Sequence, residues 1–338
     1  MSSLKMSAYK LRKQRENRRG ERLNVLLVGE NGIGLKSFIN TISLTQINAP
    51  PPDYTINTPH ANDHQFKLVT NFTDIVDSDT VPLKLRITST VNYGHELQTT
   101  HIPDKIANYI EQQLKRVLDE ELKIHRNPRF EDTRIHVALM FIRATGRGLS
   151  QLDLATMKRI GSLVNIIPIL SKADTLTIEE INLNKRLIQN DIKQHNILLY
   201  QFSPTSIKEK VQDDESELIP DRDELDYVVT LQRSVPFTVI NRCESSKSTD
   251  LLEATRNTRW GLIPIGDPNL CDLSMLRNCL LTSHLRELKD ITVQELYESY
   301  RELQLTEHLP ENTAIGSEIG DCRPSSVFGN NTLNSLAE

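Results

Sequence analysis

No apolar run in this chain approaches the roughly eighteen residues that a membrane-spanning helix requires. Met1 to Gly20 likewise has no apolar core of the signal-peptide type. A spanning or secreted protein is therefore not expected, and the chain reads as cytosolic or nuclear. Cysteine is scarce: Cys243, Cys271, Cys279 and Cys322 form no C-x-x-C pair and have no histidine at zinc spacing. That argues against a structural zinc site, and in a reducing compartment these four should be ordinary thiols. Excess positive charge is missing as well, since 40 Lys and Arg face 45 Asp and Glu for a net charge of -5. Nucleic-acid binding would need a strong local basic patch, and the only sizeable one is at the N-terminus, so no nucleic-acid partner is expected.

What is present is enough apolar material for one dominant domain, 38% of 338 residues. Strand-like runs recur at Leu23 to Val28, Val81 to Ile87, Ile135 to Ile142, Val164 to Leu170 and Pro236 to Ile240. Most are continuously apolar, which suits parallel strands covered on both faces, and the helical patterns between them give the βαβ rhythm of an α/β, doubly wound, mostly parallel sheet. Val81 to Ile87 alternates instead and reads as an edge strand with one wet face. Ile106, Ile110, Leu114, Val117, Leu118 and Leu122 mark a long amphipathic helix, too short in its stripe for a coiled coil. Thr177 with Glu180 has the form of a capping box. Asp213 to Asp226 carries eight acidic residues against Arg222 and reads as a solvated, mobile loop. The expected division is a basic segment 1–22, a nucleotide-fold domain 23–308, and a disordered tail 309–338 without heptads.

Three segments carry the chemistry. Gly29-Glu30-Asn31-Gly32-Ile33-Gly34-Leu35-Lys36-Ser37 follows the first strand and keeps the glycine spacing of the phosphate-binding motif G-x-x-x-x-G-K-[ST]. In that motif backbone N–H groups surround the phosphates, the lysine reaches the β and γ phosphates and the hydroxyl holds magnesium. Here Leu35 stands at the lysine position and Lys36 at the hydroxyl position, with Ser37 one residue late. Either one residue has been inserted or the chemistry is lost, and a glycine turn that serves only packing is a further reading. Ser171-Lys172-Ala173-Asp174 follows a strand in the form [NTAS]-K-x-D, which reads guanine through the aspartate while the lysine lies across the ring. The expected D-x-x-G is replaced by Ser89-Thr90-Val91-Asn92. Serine is a poor neutral substitute for a carboxylate at a hard cation. Both losses fall on the γ-phosphate and metal machinery, so hydrolysis is the activity most undermined.

Taken together, the motifs make the chain look like a septin. Arg126-Asn127-Pro128-Arg129-Phe130-Glu131-Asp132, Thr145-Gly146-Arg147-Gly148-Leu149 with Asp153, and Val164-Asn165-Ile166-Ile167-Pro168 leading to Ser171-Lys172-Ala173-Asp174 carry the resemblance. Arg256 to Trp260-Gly261 resembles the septin unique element, here without its Tyr-Pro pair, within about 245–308. The likeness is greatest to divergent fungal septins of the terminal-subunit and sporulation kinds. It implies a P-loop GTPase-like fold and a nucleotide site drawn from Gly29, Asn31, Gly32, Gly34, Lys36, Ser37, Lys172, Asp174 and Arg256. GTP or GDP would bind weakly or not at all, magnesium is not expected, and no catalytic residue is assigned. It also implies assembly with other septins into filaments, with Arg256 and Trp260 at a subunit contact, although Trp260 is equally readable as a core aromatic. The implied places are cytoskeletal: a septin ring, the bud neck or the membrane of a forming spore. No first switch aligns between Thr45 and Thr80.

The basic segment is the other candidate site. Lys10, Arg12, Lys13, Arg15, Arg18 and Arg19 stand against Glu16 alone. Near an anionic surface each basic residue contributes roughly 1 kcal/mol, and in septins this segment resembles a phosphoinositide-binding helix. A solvated helix face and a nuclear signal are the competing uses. Three functions follow: a filament subunit with secondary or lost catalysis, a slow active GTPase switch, and a membrane-bound adaptor that caps filaments.

Overall fold

The computed structural model describes residues 21–43, 65–75, 83–127, 130–203, 222–242, 255–258 and 261–307. Among these described residues six strands form one sheet: β1 (Glu21–Val28), β2 (Lys67–Ile75), β3 (Leu83–Val91), β4 (Val137–Arg143), β5 (Asn165–Ser171) and β6 (Phe237–Val239), in the order β2-β3-β1-β4-β5-β6. All neighbours run parallel except β2 with β3. Helices α1 (Leu35–Ser43), α2 (Ile102–Glu121), α3 (Gln151–Ile160), α4 (Ile178–Gln194) and α5 (Arg222–Ser234) alternate with the strands. A hairpin of β7 (Thr255–Thr258) and β8 (Gly261–Pro264) then leads to α6 (Leu273–Asn278), α7 (Leu285–Ile291) and α8 (Glu298–Glu307), with a π-helical turn before each of the last two. The chain divides after Arg301, and the described part of the second unit is the end of α8, where Thr306 Oγ1 donates to Glu302 O and Leu303 O.

The continuous apolar runs become the sheet interior, as their lack of alternation requires. In β1, Leu23, Leu26, Leu27 and Val28 are wholly buried, and β4 and β5 are buried along almost their whole length. The alternating run is not an edge strand. Residues 83–91 pair with β1 on one side and β2 on the other, and β2 is the edge. Its alternation is still physical, because Leu83, Leu85 and Ile87 are buried while Lys84 is exposed and Arg86 lies over the exposed Phe72 ring of β2, 5.8 Å from its centroid. The acidic stretch also needs correction at its end, since residues 222–226 open α5; Asp223 near that helix's N-terminus suits the dipole there. The rest of that stretch, the N-terminal basic segment and the tail 309–338 lie outside the described residues.

Local signals fix where helices begin. Thr177 Oγ1 accepts from Glu180 N–H and Glu180 Oε2 accepts from Thr177 N–H, the reciprocal box expected for α4. Ser150 caps α3 by accepting from Asp153 N–H and donates its own hydroxyl to the Asp153 carboxylate. Cys271 and Cys279 are buried free thiols, pushed up to about 11 and about 12 by burial; Cys243 and Cys322 lie outside the described residues.

One buried amide joins the sheet to the C-terminal helices. Asn165 Nδ2, at the start of β5, donates to His136 O (2.9 Å), Leu288 O (3.3 Å) and Thr292 Oγ1 (3.2 Å). Asn165→Ala removes that donor from three buried acceptors, so a loss of about 1–3 kcal/mol is expected by urea denaturation. A loss under about 0.5 kcal/mol, the range of indifferent surface changes, would show that the amide joins nothing of consequence.

Candidate nucleotide-binding site

Strand β1 lies where the connections diverge, with β3 on one side and β4 on the other. In such sheets ligands bind outside the carboxyl ends of the strands at that point. The ends of β1, β3, β5 and β6 meet there, and each supplies one wall.

The glycine loop comes directly off β1. Gly29 N–H donates to Thr90 Oγ1 (3.1 Å), whose hydroxyl donates back to Gly29 O (3.2 Å). A Cβ on Gly29 would come 2.9 Å from Phe141 Cβ. Gly34 has φ +109°, and a Cβ there would lie 2.6 Å from Asn241 Nδ2, which itself donates to Gly34 O at 2.9 Å. Ser171 Oγ, at the end of β5, donates to Ile33 O. The loop is thus gripped from β3, from β5 and from the residues after β6.

Helix α1 starts at Leu35, and Phe38 N–H donates to Gly34 O at 2.9 Å, so no extra residue sits between the glycine and the helix. Leu35 occupies the lysine position and packs in the core, while Lys36 is exposed and Ser37 half-buried. Partial burial still lowers the Lys36 ammonium from its ordinary value.

The β3 end departs from the motif in two ways. Ser89 sits inside the strand opposite Val69, whose carbonyl is the neighbour of its hydroxyl at 3.5 Å. Asn92 has φ 61°, the left-handed region in which the motif's glycine is at ease and asparagine is tolerated. Its side chain brings something glycine could not. Asn31 Nδ2 donates to Asn92 Oδ1 (2.7 Å), and Asn92 N–H donates to Asn31 Oδ1 (2.9 Å). The N–H that the motif would offer a γ phosphate is therefore held by the glycine loop itself. Next along, Tyr93 OH donates to Asp153 Oδ1 at 3.0 Å and lies 3.0 Å from Thr156 Oγ1. Burial pushes both the Asp153 carboxyl and the Tyr93 phenol upward.

On the base side, Lys172 is exposed with φ 56°, and Thr175 Oγ1 donates to its carbonyl. Lys172, Ile33, Arg143, Ala144, Ser171 and Thr175 line a cavity of about 290 Å³, and Arg143 pairs with Glu30 of the glycine loop at 2.8 Å. The Asp174 side chain is only 7% exposed. Its Oδ2 forms an ion pair with Arg256 Nε at 3.0 Å, and Arg256 Nη1 donates to Asn241 O at 2.9 Å. Asp174 Oδ1 and Asn241 Oδ1 are buried without a hydrogen-bond partner among the described residues. Orphaned acceptors of this kind are rare in native proteins.

A guanine base fits this half, since its N1–H and 2-amino group are donors for a carboxylate with an unfilled oxygen. Magnesium and a γ phosphate do not fit the other half. A leucine, a serine and a committed N–H stand where the motif has a cation, a carboxylate and a free donor.

The septin family model matches residues 19–313. The chain belongs to the septin family. It is 34% identical over 303 residues to Cell division control protein 11 of Saccharomyces cerevisiae, covering 89% of this chain and 70% of that protein. Sporulation-regulated protein 28 of the same yeast is 32% identical over 328 residues, covering 89% and 78%. The crystal structure of Cdc11 from Saccharomyces cerevisiae superposes with a TM-score of 0.52 at 28% identity, covering 84% of this chain and 99% of that one. The fold is thus the guanine-nucleotide-binding septin fold, in a family whose members assemble with other septins.

The structure places Gly29, Asn31, Gly32, Gly34, Lys36 and Ser37 at and after the end of β1, and Lys172 and Asp174 after the end of β5, with β4 between the two strands; Arg256 of β7 meets Asp174 there. Trp260 lies outside the described residues, as does every basic residue from Lys10 to Arg19. Sequence reasoning missed Asn241, Arg143 and the Asn31–Asn92 pair. The one signal for the pair was an asparagine at a glycine position. Asn31→Ala should release the Asn92 amide and cost about 1–3 kcal/mol. Hydrogen exchange at residues 92–95 should then quicken, and unchanged exchange there would show that Asn31 does not hold this segment.

Proposed function

We propose that this septin is a structural subunit of hetero-oligomeric septin filaments at membranes, acting in septation or sporulation, with a nucleotide site that binds GTP or GDP weakly and does not hydrolyse it. One observation carries the loss of hydrolysis: Leu35 is packed in the core where a phosphate-binding lysine would stand, and Asn92 N–H is already bonded to Asn31. Phosphoryl transfer depends on charges and free donors at those places. The retained base side is supported by the buried Asp174 carboxylate with its unfilled oxygen. On this reading Gly29, Asn31, Gly32, Gly34, Lys36 and Ser37 lie on the phosphate side, Lys172, Asp174 and Arg256 on the base side, and Arg256 and Trp260 at the contact with a neighbouring subunit. Relatives named for cell division and for sporulation point to the same processes.

Mixing the purified chain with other septins and imaging by electron microscopy tests the assembly. Extended filaments containing the chain are expected. Shortened filaments would mean capping instead, and unchanged filaments lacking it would overturn subunit membership. Phosphate release from GTP should stay at background, and multiple turnover abolished by Asp174→Ala would restore the slow-GTPase reading.

Lipid contact through the N-terminal segment belongs to the same proposal and rests on its six basic residues against one acidic. Reversing charge at Arg12, Lys13, Arg18 and Arg19 should release the protein from phosphoinositide liposomes, with added salt doing the same. Equal pelleting of both proteins would reduce the segment to a solvated face or a nuclear signal.

A further inference from the structure

We propose that Asn31 is a site of spontaneous covalent modification: its side chain closes on the Gly32 nitrogen and deamidates, the amide pair with Asn92 sets how fast it does so, and conversion unties the glycine loop from the end of β3. The inference concerns the chain alone and needs no nucleotide.

Asn31-Gly32 is the one Asn-Gly step in the 338 residues. Asparagine is among the thermolabile residues. Glycine is its most permissive successor, because no Cβ shields the peptide nitrogen that attacks. Here the step forms the centre of a tight turn, in which Ile33 N–H donates to Glu30 O at 3.2 Å and Gly32 has φ +75°. Gly32 is exposed, with nothing within 4 Å of where a Cβ would lie, and Asn31 is half-buried. Water therefore reaches both reacting residues.

One water balances the chemistry. Hydroxide takes the Gly32 N–H proton, and the nitrogen attacks Asn31 Cγ. A new C–N bond closes a cyclic imide as the Cγ–Nδ2 bond breaks, and ammonia leaves with a proton from water. A water molecule then opens the imide. Opening at the side-chain carbonyl leaves aspartate, and opening at the main-chain carbonyl leaves isoaspartate, with the chain routed through the former side chain. Nothing is oxidised or reduced.

Asn92 controls the first step. Attack on Cγ comes from above or below the carboxamide plane, so that plane must be free to turn. Asn31 Nδ2 donates to Asn92 Oδ1 (2.7 Å) and Asn31 Oδ1 accepts from Asn92 N–H (2.9 Å), which fixes it from both ends. Asn92 is itself anchored, being 5% exposed and donating from Nδ2 to Gln65 O at 3.1 Å. After conversion an oxygen replaces Asn31 Nδ2 and meets Asn92 Oδ1, acceptor against acceptor, next to the Glu30 carboxylate. Isoaspartate also adds a methylene to a main chain that packing already confines at Gly29 and Gly34.

The test holds the full chain in mildly alkaline buffer and follows it by peptide mapping and by isoaspartate methyltransferase labelling. Conversion should concentrate at Asn31 and quicken with pH. It should run about fivefold faster in Asn92→Gly, which suits the left-handed backbone there and removes one hydrogen bond. The chain unfolded in urea should also convert faster than the folded one, a comparison that stands even if Asn92→Gly does not fold. The converted fraction, separable by its extra negative charge, should show faster hydrogen exchange at residues 92–95. Absence of conversion at Asn31 would overturn the proposal, as would equal rates with and without the Asn92 side chain, or in the folded and unfolded chain. Unchanged exchange in the converted fraction would overturn the untying of the loop.

Discussion

Strand β1 is paired on both edges and its central residues are wholly buried, so the chain must leave it through a gap that neighbouring strands leave open. That constraint shapes the glycine loop before any chemistry does. A side chain at Gly29 would run into Phe141, and one at Gly34 would meet Asn241 in a backbone conformation that L residues rarely adopt. The glycines are therefore needed by packing alone. Leu35 follows the same logic, being the first helical residue and turned into the core. Packing alone is enough to keep the shape of a phosphate loop here.

Neutral groups join the glycine loop to the end of β3. A phosphate site normally balances a lysine and a metal-bound carboxylate against the ligand's charge. In this chain the loop and the β3 end are joined by a reciprocal amide pair, Asn31 with Asn92, and by Thr90 with Gly29. Such bonds contribute about 1 kcal/mol each and are indifferent to salt and to bound anions. The base side keeps its charge, and there the charge is matched internally by Arg256. The two sides are thus joined by different means, amide and hydroxyl bonds at the β3 end and an ion pair at the base side.

Much of the architecture was legible because it depends on local pattern. Unbroken apolar runs marked the buried parallel strands, and the Thr177–Glu180 spacing marked the start of α4. Strand β2 was not legible, because Lys67–Ile75 buries only part of its surface and is half polar, like the sequence on either side of it. Missing it made β3 seem an edge. Within the site, the motif positions were visible but their couplings were not. Asn31 meets Asn92 across 61 residues, and Asn241 meets Gly34 across 207. No spacing rule reaches so far, since such pairs are set by which strand ends the topology brings together.

The amide of Asn165 has a consequence for how the chain is made. Its partners Leu288 and Thr292 follow it by 123 and 127 residues, so β5 leaves the ribosome long before two of the three groups that accept from its first side chain exist. At about 5–20 residues per second, the wait is on the order of 6–25 seconds. Through that interval the lower end of the sheet holds a polar side chain facing the place where α7 will sit.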